Sequence, residues 1–196
     1  MSLKRKISKS FSALDGIFTK QKISFFDSSV DFMSLTVEEL ENLLSAGIDP
    51  NERDKLGRTP LMYLASCNGD PEVIRTIIKA GAKINDVDQE GKTALIMAAR
   101  YNSRTDIVEA LLDSGADVNQ CSRKKRTPLM YAALSNTNLE VIKLLLARGA
   151  DGSIKDVRRF TAFDHLKKGY NETLRQTEAF TLLKAAAKKQ HFDNGK

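Results

Sequence analysis

The chain has 196 residues, of which 41% are hydrophobic and 29% charged, with a net charge of +6, enough for one domain with a sizeable core. Its apolar runs, such as Leu144-Leu145-Leu146-Ala147, fall far short of the roughly 18 to 20 residues that a membrane span needs. Two cysteines, Cys67 and Cys121, and two histidines, His165 and His191, are too sparse for a disulfide framework or a metal-ligand cluster, so neither metal nor cofactor is expected.

Residues 1–23 form a basic arm: Lys4, Arg5, Lys6, Lys9, Lys20 and Lys22 face one acid, Asp15. Ser8, Ser10 and Ser12 interrupt what a signal peptide would need as its apolar centre, so an intracellular, cytoplasmic chain is expected. Phe11, Leu14 and Phe18 lie at helical spacing. They suit an amphipathic helix on an anionic membrane, a nucleic-acid contact, or a flap on the body. Charge is concentrated at both ends: residues 1–22 sum to +5, residues 23–157 to −4 and residues 158–196 to +5.

Residues 24–53 hold one clear helical segment, Thr36 to Leu44, behind a poorly patterned stretch, and are expected to form an N-terminal cap. From residue 54 onward a period of 34 residues governs the chain. Thr59, Thr93, Thr127 and Thr161 are evenly spaced, and so are Gly47, Gly81, Gly115 and Gly149. Two independent markers in one register indicate stacked units at 54–87, 88–121 and 122–155, with a closing cap at 156–189 and a tail at 190–196.

Each unit opens on a charged turn and then a first helix. These helices begin Thr59-Pro60-Leu61-Met62-Tyr63, Thr93-Ala94-Leu95-Ile96-Met97 and Thr127-Pro128-Leu129-Met130-Tyr131. Proline suits the first helical position because its missing N–H would have no partner there. A second helix carries apolar residues on one face, as in Val73, Ile74 and Ile77, or Val141, Ile142 and Leu145. Asp70 with Pro71 marks one start, and Ser103 with Asp106 and Thr137 with Glu140 have capping-box spacing. Glycine closes each second helix. In the last unit the second helix is expected to run from about Glu172 to Lys189 as one long segment.

The phrase Gly115-Ala116-Asp117-Val118-Asn119, its looser copies at Gly47, Gly81 and Gly149, and the Thr-Pro-Leu openings resemble the ankyrin repeat over residues 24–189. The resemblance implies an all-α repeat solenoid: helix-turn-helix units joined by β-hairpin or finger loops, about three full repeats between N- and C-terminal capping repeats. Three departures stand out. The period exceeds the usual 33, with the extra residue in the inter-helix loop at Asn68-Gly69, Asn102-Ser103 and Asn136-Thr137. Met62, Ile96 and Met130 replace a frequent histidine, and Lys125 and Arg159 replace the turn glycines Gly57 and Gly91.

Such stacks implicate fingers and first helices in partner binding. Here the register yields a ladder of Tyr63, Met97 and Tyr131, ending at His165, with Tyr101 and Arg100 beside it. The same stripe could equally be inter-repeat core. Arg58 and Lys92 flank it, and the finger sequences change from acidic (Asp54, Asp86, Asp88, Glu90) to basic (Arg123, Lys124, Lys125, Arg126, Arg158). This predicts a monomeric, non-catalytic adaptor, inhibitor or scaffold that binds a protein with an acidic segment through the concave finger and inner-helix face. The alternative is a regulator that meets anionic membrane or nucleic acid through its basic ends. Phosphate-cradling and nucleophile motifs are lacking in the sequence, and Asp164 and His165, being adjacent, would face different ways on a helix. No enzyme is expected.

Overall fold

The computed structural model describes residues 24–188, except 27–29, 68, 169 and 170. The basic arm and the C-terminal tail lie outside the described residues. Ten helices are described: α1 (Val37–Ser45), α2 (Pro60–Cys67), α3 (Pro71–Lys79), α4 (Ala94–Tyr101), α5 (Thr105–Asp113), α6 (Pro128–Ser135), α7 (Leu139–Ala147), α8 (Ala162–Lys168), α9 (Glu172–Arg175) and α10 (Ala179–Ala186). The inner row α2, α4, α6, α8 and the outer row α1, α3, α5, α7 pack between them one continuous apolar core. Ala65, Ala98, Ala99, Ala132 and Ala133 are fully buried. With no side chain beyond Cβ, they let successive inner helices approach closely. Met62, Ile96 and Met130 are buried among them, so no polar group needs a partner there.

The helix starts follow local chemistry, with two corrections to the sequence reading. In α1, Thr36 and Glu39 form a reciprocal capping box, and Thr93 and Thr127 accept the N–H groups of Ile96 and Met130. Outer helix α7, however, is capped by Asn138 rather than Thr137, and α5 begins after Arg104 without a side-chain cap. The reason lies in the lengthened loop. Asn102 and Asn136 turn inward there, and each accepts the N–H two residues on with its own Oδ1, at 3.0 and 2.8 Å.

Those buried asparagines also bind neighbouring repeats together. Asn102 Nδ2 donates to the Ala65 carbonyl, Asn136 Nδ2 to those of Ala99 and Asn102, and Asn171 Nδ2 to those of Ala133 and Asn136. Each satisfies carbonyls at the end of the preceding inner helix that would otherwise be buried without donors. Asn171, which opens an Asn-x-Thr glycosylation pattern with Glu172 and Thr173, is not available for modification in the fold, because its amide is buried and engaged. A second series repeats at the loops after the outer helices. Asn51, Asn85 and Asn119 each donate to a glycine carbonyl one repeat on and accept an N–H from the same loop.

The described residues contain no β-strand. Each finger is one tight turn, closed by Asp54 N–H to Arg58 carbonyl and its equivalents at Asp88, Ser122 and Asp156. Lys125 and Arg159, with φ of 54° and 62°, keep the left-handed corner that Gly57 and Gly91 adopt at 74°. Fingers then join their neighbours edge to edge: Gln89 N–H donates to the Leu56 carbonyl, Arg123 to Glu90 and Val157 to Lys124.

The two ends close differently. Before α1 there is no inner helix among the described residues, and Phe25 is fully buried in its place, with its N–H on Glu52 Oε2 at 2.9 Å. At the other end the expected long helix is broken into α9 and α10. Thr177 interrupts it, its hydroxyl donating to the Leu174 carbonyl and accepting from Ala179 N–H. The break turns α10 across α8, where Phe180 meets Phe163 edge-on at 4.9 Å between ring centroids. Gly152 permits this approach, since a Cβ there would lie 2.5 Å from the Ala186 Cβ. This accounts for the loss of the aliphatic residue from the last copy of the closing phrase.

Candidate binding face

Three of the four side chains at the ladder position reach back to the bases of their own fingers, but not alike. Tyr63 donates its hydroxyl to Asp54 Oδ2 at 2.8 Å, Tyr131 contacts Ser122 Oγ at 3.3 Å, and His165 Nε2 lies 2.9 Å from Asp156 Oδ2. Met97 has no polar atom to match Asp88. Each base residue meanwhile accepts N–H groups of its own turn. Asp54 takes those of Leu56 and Arg58, Asp88 those of Glu90 and Lys92, and Asp156 those of Arg158 and Phe160. Sequence reading placed Asp54 and Asp88 at acidic finger tips. The structure turns both inward.

Burial would raise the Asp156 pKa, but the N–H of Phe160 and the guanidinium of Arg126 outweigh it and hold the carboxyl below the ordinary range. His165 goes the opposite way to its partner's pull. Its burial dominates the attraction of Asp156 and keeps the imidazole below its usual pKa. A neutral ring that donates from Nε2 to the carboxylate fits this geometry. The pair is a buried structural contact, and Asp164 is used elsewhere, accepting from the Thr161 N–H and hydroxyl.

The ladder residues do not share one environment. Tyr131 and Met97 are only 4% and 6% exposed, whereas Tyr101 is 55% exposed. Tyr63 is half-buried, stacked by Phe32 at 5.0 Å and met by Phe26 at 5.7 Å. The N-terminal segment thus covers the first rung, a contact with no repeat signal in the sequence because residues 24–36 lie outside the period.

The basic residues are brought together on one side. Arg58 lies beside Tyr63, its Nη1 3.3 Å from the hydroxyl. Lys92 is only 8% exposed, and its ammonium pairs with the exposed Glu90 at 2.8 Å. The Arg100 guanidinium sits over both Tyr101 and Tyr131, at 4.8 and 5.6 Å from the ring centroids. Arg123 and Lys124 are exposed on the third finger, Arg126 is drawn to Asp156 at 3.2 Å, and Arg158 covers Phe160. Asp86 is spent on Arg53 at 2.6 Å.

Counting by face, residues 54–67, 88–101, 122–135 and 156–168, the fingers and inner helices, hold twelve Lys and Arg against five Asp and Glu. Of those five acids, Asp54, Asp88, Asp156 and Asp164 accept hydrogen bonds inside their own turns, leaving Glu90. The outer stretches 68–87, 102–121 and 136–155 hold seven basic and nine acidic residues. Charge is therefore segregated across the stack, basic inside and mildly acidic outside.

Two recesses adjoin Tyr101, the first on the basic side and the second at the end of α4, where the inter-helix loops begin. One of about 150 Å³ is lined by Arg58, Met62, Tyr63, Ser66, Lys92, Met97 and Tyr101. The other, of about 270 Å³, is lined by Arg100, Tyr101, Ser103, Ser135, Asn136 and Thr137. No group of three or more potential metal ligands occurs among the described residues, and no helix among them is long and apolar enough to cross a membrane.

Paired helices in two rows, 34-residue finger spacing and asparagine-linked loops define a stacked helical-repeat protein. The family model of ankyrin repeats, in three copies, matches residues 34–122 and 63–156, and the chain belongs to the ankyrin repeat family. Ankyrin repeats are generally modules of protein–protein interaction and typically not enzymes. A comparison with curated proteins returns no match.

Proposed function

We propose that this chain is a non-catalytic interaction module that holds a partner protein, through an acidic segment, against its fingers and inner helices. The observation that supports this most is the segregation of charge. The fingers and inner helices hold twelve Lys and Arg, and their acids, Glu90 excepted, accept hydrogen bonds within their own turns. A face of one sign steers an oppositely charged partner and sets its orientation. Exposed Tyr101, packed under Arg100, supplies a rigid aromatic contact of the kind enriched at interface centres.

The reading is tested by photo-crosslinking in lysate, with the crosslinking residue placed at Tyr101 on the inner side or at exposed Lys79 on the outer side. A specific protein should be trapped from position 101 alone. Adding Arg123→Glu and Lys124→Glu, both at exposed positions, should cut the yield by about tenfold or more. Equal trapping from position 79, or indifference to the charge reversal, refutes the reading.

A further inference from the structure

We infer that Tyr101 is a ridge between two anion-binding recesses, and that the partner segment presents acids at alternate positions of an extended strand, their carboxylates entering the recesses while the main chain between them crosses the ring. The inference deepens the proposed function and rests on it. Tyr101 lines both recesses and is the most exposed aromatic described on the inner side. Each recess has its own cations: Arg58 and Lys92 in the first, Arg100 in the second.

The state of those arginines points to a ligand. Arg58 Nε and Arg100 Nε are both withdrawn from solvent and have no acceptor among the described residues. A buried donor without an acceptor is a cost that is relieved when the guanidinium turns toward a planar two-oxygen anion in the recess, because a carboxylate matches Nε–H and a terminal N–H side by side. Lys92 retains donors beyond its bond to Glu90.

Size decides which anion. A recess of about 150 Å³ with a cation only 8% exposed admits one side-chain carboxylate. The phosphates of a nucleic acid, carried on a bulky backbone, would reach the finger arginines Arg123 and Arg158 more readily than Lys92. The recesses lie on either side of α4, the second at its C-terminal end, so their centres are at least about one helix spacing, 8 to 10 Å, apart. In an extended segment, alternate side chains are about 7 Å apart on one face, and the length of two glutamates covers the remainder.

The test is an NMR titration of the full chain that follows arginine Nε–Hε and tyrosine ring signals. The probe is the blocked peptide Ser-Gly-Glu-Leu-Glu-Gly-Ser, beside its counterpart with both Glu changed to Gln. The Arg58 and Arg100 signals and the Tyr101 ring should move together, and the Gln peptide should bind about tenfold more weakly or worse. Lys92→Gln should weaken binding while leaving the signal of half-buried Arg148, paired with Glu109 and Asp113, in place as a sign of intact folding. Arg100→Lys, which keeps the charge and removes Nε, should weaken binding of the Glu peptide while the Arg58 signal still moves, and unchanged affinity would overturn the second recess.

Movement confined to Arg123, Arg126 and Arg158 would overturn the recess assignment while leaving the acidic-partner reading intact. Failure of the crosslinking from position 101 would instead remove the reading beneath it. A single-stranded oligonucleotide that moves Arg58 and Arg100 as far as the Glu peptide does would overturn the peptide assignment.

Discussion

The front and back halves of the stack have the same backbone built from different side chains. In front, the fingers turn at Gly57 and Gly91; behind, they turn at Lys125 and Arg159 in the same left-handed region. In front, the finger bases are Asp54 and Asp88; behind, they are Ser122 and Asp156. A Cβ on Gly91 would lie 2.7 Å from the Arg123 nitrogen and 3.2 Å from the Ser122 carbonyl carbon, so the second finger cannot take a side chain without moving the third. At Gly57 the nearest atom would be 3.4 Å away. Among the finger turns, strict need for glycine is thus a matter of one junction, and the repeat pattern alone does not locate it.

The largest expected effect comes from breaking that junction. Gly91→Lys adds left-handed strain of about 1 to 2 kcal/mol and an overpacking cost of similar size. A loss of about 3 kcal/mol in urea unfolding should result, whereas Gly57→Lys should lose only the strain contribution. Equal losses at the two positions would mean that finger-to-finger packing does not distinguish them.

A pH-dependent difference should arise from the ladder. The folded His165 pKa lies below its unfolded value of about 6.5. The unfolded chain therefore takes up the proton first as pH falls. The stability this gives is fully present above about 6.5 and is lost as pH drops through that value toward the folded pKa. His165→Tyr installs the residue found at positions 63 and 131 and removes the titration. Between pH 7.5 and 5, a range in which Asp156 stays ionised, the variant's thermal midpoint should fall less than the parent's. Parallel curves would contradict the burial-driven shift.

The smallest effect runs the other way. Lys125→Gly relieves the left-handed cost but adds backbone freedom to the unfolded chain, so a gain of about 0.5 kcal/mol is expected. Because Lys125 is exposed and makes a basic contribution to the third finger, the same variant also reports on partner capture apart from stability. Destabilisation instead would show that the lysine side chain holds the turn.

Much of the fold is legible in the sequence. The 34-residue period, the proline and threonine helix starts and the glycine endings are local signals, and each recurs at the helix boundaries of the structure. The broken last helix was less legible, because Thr177 acts through hydrogen bonds to Leu174 and Ala179 that no spacing rule marks. The loop asparagines were visible only as an extra residue. Their role depends on carbonyls 34 to 38 positions earlier in the chain.

For the face itself, the sequence by itself determined which positions are equivalent: Tyr63, Met97, Tyr131 and His165 share one register, and Arg58 and Lys92 share another. Tertiary structure decided what each equivalent position does. Tyr131 is buried by its finger base and by Arg100, Tyr63 is covered by Phe26 and Phe32, and Tyr101, off the ladder, is left exposed between two recesses. The physical reason is that periodicity fixes the direction of a side chain on its own helix. Exposure, in contrast, depends on the neighbouring repeat, whose side chains vary independently at each step of the stack.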